Sequence, residues 1–123
     1  MYYSISEAAK KTNLTAFTLR YYDKEGLLSP GRTEKGIRYF TDTDLSRIET
    51  VRCLKNTGMT IREIRRFFDL CSLGEESLAD QLELFLQHRA KILNELQVLQ
   101  QHLQQVDEQI SWFHRALAAK SMR

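Results

Sequence analysis

A long run of regularly spaced apolar residues in the C-terminal half constrains the fold of this chain more than any other feature. From Leu78 to Leu117 an apolar residue recurs at alternating steps of four and three, and of the twelve positions in the run only Arg89 is polar. Such a repeat keeps one stripe of a helix facing a partner helix, as in a coiled coil. Neither Gly nor Pro interrupts the run. The spacing therefore predicts one helix of roughly 40 residues, ~60 Å long.

The apolar stripe of this helix needs a covering surface, because an exposed stripe of that length is unfavourable in water. Folding back on the rest of the chain is one solution, and pairing with a second copy is the simpler one. We expect a homodimer whose contacts include Leu82, Phe85, Ile92, Leu96, Leu99, Leu103, Val106 and Ile110. Arg89 on the stripe favours one register or orientation, while the spacing alone leaves parallel and antiparallel pairing open.

Charge is distributed unevenly along the 123 residues. Residues 1–70 hold 13 Lys and Arg against 9 Asp and Glu, a net charge of +4, whereas residues 71–123 hold 5 against 7, a net charge of −2. A local positive excess favours an anionic partner for the first half. The length suits one domain with an extension and excludes a large two-domain enzyme.

The cysteine content and the hydropathy indicate a cytoplasmic protein. Two cysteines, Cys53 and Cys71, cannot build a disulfide framework. No apolar run is long enough for membrane insertion or export. We expect both thiols to be free in a reducing compartment. No cofactor, bound metal or membrane partner is predicted.

Turn and cap residues divide the N-terminal half into short elements. They predict a helix pair, a small basic hairpin between Leu27 and Phe40, and a second helix pair. Ser6 is the predicted cap of the first helix and Thr15 that of the second, since both side chains can accept hydrogen bonds from free backbone amides. The N-terminal half is thus expected to be a small helical domain with a hairpin.

The junctions of these elements carry a specific motif. Its parts are Arg20-Tyr21-Tyr22-Asp23-x-x-Gly26-Leu27-Leu28, Gly36-x-Arg38-x-Phe40 and Gly58-Met59-x-Ile61-x-x-Ile64. The pattern resembles the winged helix-turn-helix domain of MerR-type transcription regulators. The resemblance implies a mainly α fold, in which a winged helix-turn-helix DNA-binding domain is followed by a long dimerisation helix that pairs as an antiparallel coiled coil. The implied divisions are the DNA-binding domain at 1–71, a linker at 72–76, the coiled-coil helix at 77–118 and a tail at 119–123.

Candidate DNA contacts fall on the second helix, on the hairpin and on the fourth helix. The second helix of a helix-turn-helix enters the major groove, and here it carries Thr15, Thr18, Arg20, Tyr21 and Tyr22. Arg20 suits guanine or phosphate because its guanidinium donates two parallel hydrogen bonds, while Tyr22 can serve either DNA or the core. The resemblance assigns DNA contacts in the hairpin to Arg32, Arg38 and Tyr39. The N-terminus of the fourth helix offers Thr60 and Arg62 to a phosphate.

The predicted sensing residue is Cys53. Its angular position on the third helix lies almost opposite the apolar stripe, which predicts an exposed thiol. Arg52 and Lys55 favour the thiolate, whereas Glu49 opposes it. The stretch from Cys53 to Ile61 also resembles an NmlR/AdhR-like subgroup. That resemblance implies that Cys53 forms adducts with aldehydes and other thiol-reactive electrophiles, while a packing role remains the alternative.

For the second cysteine and the three histidines, we predict structural rather than ligand-binding roles. Cys71 is expected to be a small buried residue, with a reactive role left open. His88, His102 and His114 lie too far apart on one helix to converge on a metal, and we expect all three at the solvated surface.

The resemblance implies a function in transcription. A dimer would bind a palindromic operator within a promoter spacer and activate by distorting double-stranded DNA so that RNA polymerase engages the promoter, in the cytoplasm and associated with the nucleoid. One alternative is a MerR-type regulator that responds to a metal or a drug-like ligand. A thiol-dependent enzyme is disfavoured, because no histidine precedes His88. A coiled-coil interaction protein without DNA function is the third alternative.

Overall fold

The computed structural model describes residues 1–122 and is built mainly of helices. Five α-helices span Ile5–Thr12 (α1), Ala16–Lys24 (α2), Asp42–Asn56 (α3), Ile61–Ser72 (α4) and Leu78–Ser121 (α5). Two short strands, Gly31–Arg32 (β1) and Arg38–Tyr39 (β2), pair antiparallel between α2 and α3, and we call residues 31–39 the wing. The order of elements is the predicted one: a helix pair, a hairpin, a second helix pair and one long helix.

The chain divides into two units. The first is a compact unit, Met1–Leu84, and the second holds the remainder of α5 from Phe85 onward. The compact unit therefore extends beyond residue 71, where the DNA-binding domain was predicted to end, and includes the first turns of α5.

Hydrogen bonds of Ser and Thr side chains fix the starts of the short helices. Thr15 caps α2 as predicted, and its Oγ1 accepts from the Thr18 amide at 3.0 Å. The cap of α1 is Ser4 rather than the predicted Ser6. Glu7 explains the difference, because its carboxylate accepts from the Ser4 amide at 2.9 Å while Ser4 Oγ accepts from the Glu7 amide at 3.1 Å. This reciprocal pair is a capping box, and it requires the spacing of three that Ser4 has.

The core of the first unit lies where α1 to α4 converge. Its largest fully buried side chains are Phe40, Leu19, Leu27, Ile48, Met59 and Ile64. Leu84, in the first turns of α5, packs against this cluster. Complete burial of a Leu, Ile, Phe or Met side chain contributes about 1.5–3 kcal/mol, so this small cluster supplies much of the stability that positions the surface residues.

Arg47 joins three elements of this unit. Its Nε donates to the carbonyl oxygen of Leu27 at 2.7 Å, and its guanidinium carbon lies 3.9 Å from the centroid of the Phe68 ring. The side chain thereby connects the segment after α2 to both α3 and α4. A partly buried guanidinium over an aromatic ring is favourable because the ring face is electronegative.

Residues 72–76 were predicted to be a linker, but all of them except Leu73, a turn residue, are helical. Ser72 is the last residue of α4, and Gly74–Ser77 form a 3-10 helix. Ser77 is buried; its Oγ lies 2.5 Å from the Leu70 carbonyl oxygen and accepts from Gln81 Nε2 at 2.9 Å. These hydrogen bonds hold α4 to the start of α5.

The long helix α5 has 44 residues, which corresponds to ~66 Å. All eleven apolar positions of the predicted stripe are exposed in the single chain. The helix runs through Ser121, so most of the predicted tail at 119–123 is helical, and Arg123 lies outside the described residues. Within residues 1–122, no helix combines the length and the apolar character that crossing a membrane requires.

Candidate DNA-binding surface

The exposed face of α2 is formed by four residues at helical spacing. Phe17, Arg20, Tyr21 and Lys24 line a shallow hollow of about 250 Å³, while Leu19 on the other face is buried. Phe17 is 77% exposed, so its ring is accessible on this face. Sequence reasoning placed Arg20 and Tyr21 on this face but missed Phe17 and Lys24, although the spacing 17, 20, 21, 24 is the helical one.

The N-terminus of α2 is well suited to an anion. Thr15 Oγ1 accepts from the Thr18 amide, and the two hydroxyl oxygens lie 2.9 Å apart. The helices α1, α3 and α4 each have an acidic residue in a capping box, whereas the first turn of α2 has none. The positive end of the α2 dipole is therefore not neutralised by a carboxylate of its own first turn, and it can attract a phosphate.

Tyr22 belongs to the core and not to the DNA-facing surface. It is only 7% exposed, and its burial raises the pKa of its phenol above the ordinary value. The predicted DNA contact at Tyr22 is corrected to a packing role, because the buried face of α2 leaves little of the ring for a base or a phosphate. Tyr21, one residue earlier, is 44% exposed.

Asp23 links α2 to the wing. Its Oδ2 accepts from Arg38 Nε at 2.8 Å and from Arg32 at 3.1 Å. The two arginines are directly opposite each other in the β1–β2 pair, so they share a face of the hairpin and would repel each other without the carboxylate. Arg32 also donates to the Gly36 carbonyl at 3.2 Å. Asp23 was part of the sequence motif, but its role in holding the wing was not predicted.

Tyr39 packs across the base of the wing. Its ring centroid lies 5.0 Å from that of Tyr2, and the ring covers Gly31 so closely that a Cβ atom at Gly31 would overlap it. A larger residue at this strand position would therefore displace the Tyr39 ring, whereas the backbone conformation of Gly31 does not itself favour glycine. The contacts with Tyr2 and Gly31 hold the half-buried Tyr39 ring in position on the wing.

The N-terminus of α4 offers less to a phosphate than predicted. The carboxylate of Glu63 accepts from the Thr60 amide at 3.1 Å and from the Thr60 hydroxyl at 2.8 Å. This capping box places a negative charge where the phosphate was expected. The predicted phosphate contact at Thr60 is corrected to a capping role. Arg62 is exposed and lines an open groove of about 560 Å³ together with Arg65 and Arg66.

Cys53 lies on α3 with an exposed thiol, as predicted. Of the two cations expected to favour its thiolate, Arg52 donates two hydrogen bonds, of 2.7 and 3.2 Å, to one carboxylate oxygen of Glu49. The hydrogen bond to Glu49 is also the main reason that the pKa of Arg52 is raised. Lys55 forms no ion pair within residues 1–122. Lys55 lies two residues after Cys53, so the two side chains leave α3 in different directions.

Two expectations for other thiol and imidazole groups are wrong. Cys71 is exposed rather than buried, with its Sγ 3.7 Å from Gln81 Oε1, because it lies on the outer side of α4 near its end. His88 is buried, at 6% exposure, whereas His102 and His114 are exposed as expected. Across the described residues, no group of three or more His, Cys, Asp and Glu side chains is arranged to hold a metal ion.

The helix pair, the wing tied to its second helix and the long helix with an apolar seam together define a winged helix-turn-helix DNA-binding protein. The family model of MerR HTH family regulatory proteins matches residues 3–71. An uncharacterized HTH-type transcriptional regulator of Haemophilus influenzae is 36% identical, with 100% of this chain and 92% of the relative aligned. The chain belongs to the MerR family and is a DNA-binding transcriptional regulator.

Solved structures and further relatives agree with this assignment. The crystal structure of HiNmlR, a MerR family regulator lacking the sensor domain, bound to promoter DNA, is similar with a TM-score of 0.71 and 37% identity, covering 96% of this chain and 94% of that one. The regulator AdhR of Bacillus subtilis is 31% identical over 73% of this chain and 65% of its own length. Other relatives are named for heavy-metal dependence or for a multidrug-efflux transporter. The matched relatives are regulators of transcription.

Proposed function

We propose that this regulator binds a palindromic operator within a promoter spacer as a dimer, and that it activates transcription by distorting the DNA for RNA polymerase. The observation that carries this proposal is the attachment of the wing arginines to α2 through Asp23. The two elements then form one cationic surface that presents α2 to the major groove and the wing to the flanking phosphates. Similarity to HiNmlR, whose structure contains promoter DNA, supports the same use of the surface.

The residues proposed to meet DNA are grouped by role. Those on or beside α2 reach the major groove and its edges, and those on the wing and α4 meet phosphates. The proposed major-groove residues are Thr15, Thr18, Arg20 and Tyr21. The proposed phosphate contacts are Arg32, Arg38, Tyr39 and Arg62. Symmetric operator half-sites follow from a two-fold dimer held together by α5.

Arg20 provides the test of DNA binding. Loss of a bidentate arginine contact costs about 1–3 kcal/mol, so Arg20→Ala should weaken operator binding on the order of tenfold or more. Arg115→Ala, an equal change of charge at an exposed position of α5, is the matched control. Binding is measured by fluorescence anisotropy over a range of salt concentrations, with the dimer checked by gel filtration. Equal losses in the two variants would contradict a role for Arg20 in the interface.

Distortion of the promoter is tested separately by changing the DNA. If the protein acts by correcting the geometry of an over-long spacer, then shortening the spacer by single base pairs should make transcription independent of the regulator. In vitro transcription with purified polymerase measures this. A shortened promoter that still required the protein would favour direct recruitment of polymerase instead.

The proposed inducer is a thiol-reactive electrophile that adds to Cys53. The exposed thiol meets the first physical requirement for such a sensor, which is access to the electrophile. Arg52, the preceding residue, supplies a nearby positive charge that interacts with the Cys53 side chain. Adduct formation would shift the dimer between two DNA-bound states. Cys53→Ser should abolish induction by an aldehyde or a quinone, whereas Cys71→Ser, at the other exposed cysteine, should preserve it. Full induction of the Cys53→Ser variant would reject the electrophile mechanism, but it would not contradict the proposal that the protein binds DNA.

A further inference from the structure

One face of α5 carries a continuous apolar seam with a single charge in it. The twelve seam positions are Leu78, Leu82, Phe85, Arg89, Ile92, Leu96, Leu99, Leu103, Val106, Ile110, Phe113 and Leu117, and all of them are exposed in the single chain. A second copy of α5 is the partner that the proposed function requires. The seam then restricts how the two copies can be aligned.

Arg89 and Asp107 are charged residues of α5 that form no ion pair within residues 1–122. Partners on one helix lie three or four residues apart. The residues at those distances from Arg89 are all apolar, and those around Asp107 are uncharged. Both charges are thus available to a second copy.

Parallel pairing is disfavoured by Arg89. In a parallel dimer with the helices in register, Arg89 of one copy would face Arg89 of the other within an apolar seam. Two like charges in such surroundings have no compensating partner and are strongly unfavourable. Antiparallel pairing separates the two arginines and places each opposite a different residue.

The resemblance to the MerR family already implies an antiparallel pair of α5 helices, and we propose its register: Arg89 lies opposite Val106 of the second copy and forms an interchain ion pair with Asp107. This register matches every seam position with another: Leu78 with Leu117, Leu82 with Phe113, Phe85 with Ile110, Arg89 with Val106, Ile92 with Leu103, and Leu96 with Leu99. A shift by one heptad in either direction leaves two seam positions of each copy uncovered. The proposal rests on the dimer of the proposed function and adds its alignment.

The position of Asp107 makes the ion pair geometrically reasonable. It follows Val106 directly and occupies the edge of the seam on the same side as the long Arg89 side chain. The long Arg89 side chain can extend past the apolar seam, so that its guanidinium contacts the Asp107 carboxylate at the solvent-exposed edge. Two-fold symmetry forms the pair twice. At the opposite edge the same register brings Glu95 of one copy beside His102 of the other, so no like charges meet there.

Cysteine cross-linking tests the register. In the full chain with Cys53→Ser and Cys71→Ser, the pair Ile92→Cys with Leu103→Cys should form an interchain disulfide on oxidation. These two positions lie ~16 Å apart along one helix and cannot bridge within a chain. The matched controls are Phe85→Cys with Leu103→Cys and Ile92→Cys with Ile110→Cys, which correspond to the two registers shifted by one heptad.

The outcomes separate the register from the dimer. Cross-linked dimers with the first pair alone support the proposal, and efficient cross-linking of either control pair overturns the register while leaving a DNA-binding dimer possible. Sedimentation analysis of the unmodified chain comes first. A monomer at all concentrations would overturn the proposed function itself.

Charge exchange tests the ion pair. Arg89→Asp and Asp107→Arg should each raise the dimer dissociation constant about tenfold, and the double variant should restore it, because the pair is then formed in the opposite sense. Circular dichroism confirms that each variant is still helical. A double variant as weak as the single ones overturns the ion pair. Arg89→Leu provides a further test, since an apolar seam should dimerise at least as tightly but should also cross-link in the shifted registers.

Discussion

Asp23 Oδ2 lies 2.8 Å from Arg38 Nε, and this ion pair joins the end of the helix-turn-helix to the second strand of the wing. Both side chains are partly buried, so the pair is better shielded from salt than an exposed one. Arg32 approaches the same carboxylate oxygen from the opposing strand. One carboxylate of α2 therefore holds an arginine from each strand of the wing.

Asp23→Asn should weaken operator binding even though it removes a negative charge from a DNA-binding surface. Electrostatics alone predicts the reverse, since fewer negative charges favour DNA. If Asp23 positions the wing arginines, their displacement should cost more affinity than the removal of a negative charge gains. We therefore expect operator affinity to fall on the order of tenfold. Glu34→Gln makes the same change of charge at an exposed wing position without touching Arg32 or Arg38. Anisotropy titrations should show weaker binding for the first variant and equal or tighter binding for the second; an improvement in both would remove the positioning role.

Tyr21 and Tyr22 are neighbours with opposite expected phenotypes. Tyr22→Ala removes a buried ring and should cost about 3–5 kcal/mol of folding free energy. Tyr21→Ala removes an exposed ring, so it should leave stability within about 0.5 kcal/mol while reducing operator affinity. Urea unfolding measures the first effect and anisotropy the second. A stable Tyr22→Ala variant would show that the ring does not belong to the core.

The periodic parts of the fold could be predicted from the sequence. The seam of α5 was recognisable because eleven apolar residues repeat at helical spacing, and the two short helix pairs were recognisable from their caps and glycines. The exposed position of Cys53 followed from its angle on α3. Each of these depends on residues that are close together in the chain, which is why local patterns were sufficient.

The features that escaped prediction depend on contacts between distant residues. The bond from Asp23 to Arg38 spans 15 positions and that from Arg47 to Leu27 spans 20. Nothing in the local pattern distinguishes a guanidinium that bridges helices from a solvated one. The assignment of Cys71 to the interior failed for a related reason, because burial at the end of α4 depends on where α5 begins.

Acidification should loosen the start of α1 through Glu7. Hydrogen bonds from Ser4 hold the pKa of the Glu7 carboxyl below its ordinary value of 4.5. A lowered pKa means that the carboxylate stabilises the folded state fully above about 4.5 and loses that effect as the pH falls through the lower folded value. Glu7→Gln keeps an acceptor but does not titrate, so its thermal midpoint should fall less between neutral pH and a pH below the lowered pKa of Glu7. Equal acid sensitivity of the variant and the parent would show that other carboxyl groups dominate.

Gly31 and Tyr39 should behave as a coupled pair in a double-mutant cycle. Gly31→Ala places a methyl group where the Tyr39 ring lies, and such overpacking costs about 1–3 kcal/mol. In a Tyr39→Ala background the obstructing ring is absent, so the same Gly31→Ala change should be nearly neutral or slightly stabilising, since alanine restricts the unfolded chain more than glycine does. Chemical denaturation of the four proteins gives the coupling free energy directly, and the expected value equals most of the cost of the single Gly31→Ala change. If Gly31→Ala were equally costly in both backgrounds, glycine would be needed for some reason other than the space taken by Tyr39, and the close packing of the wing base would have to be revised.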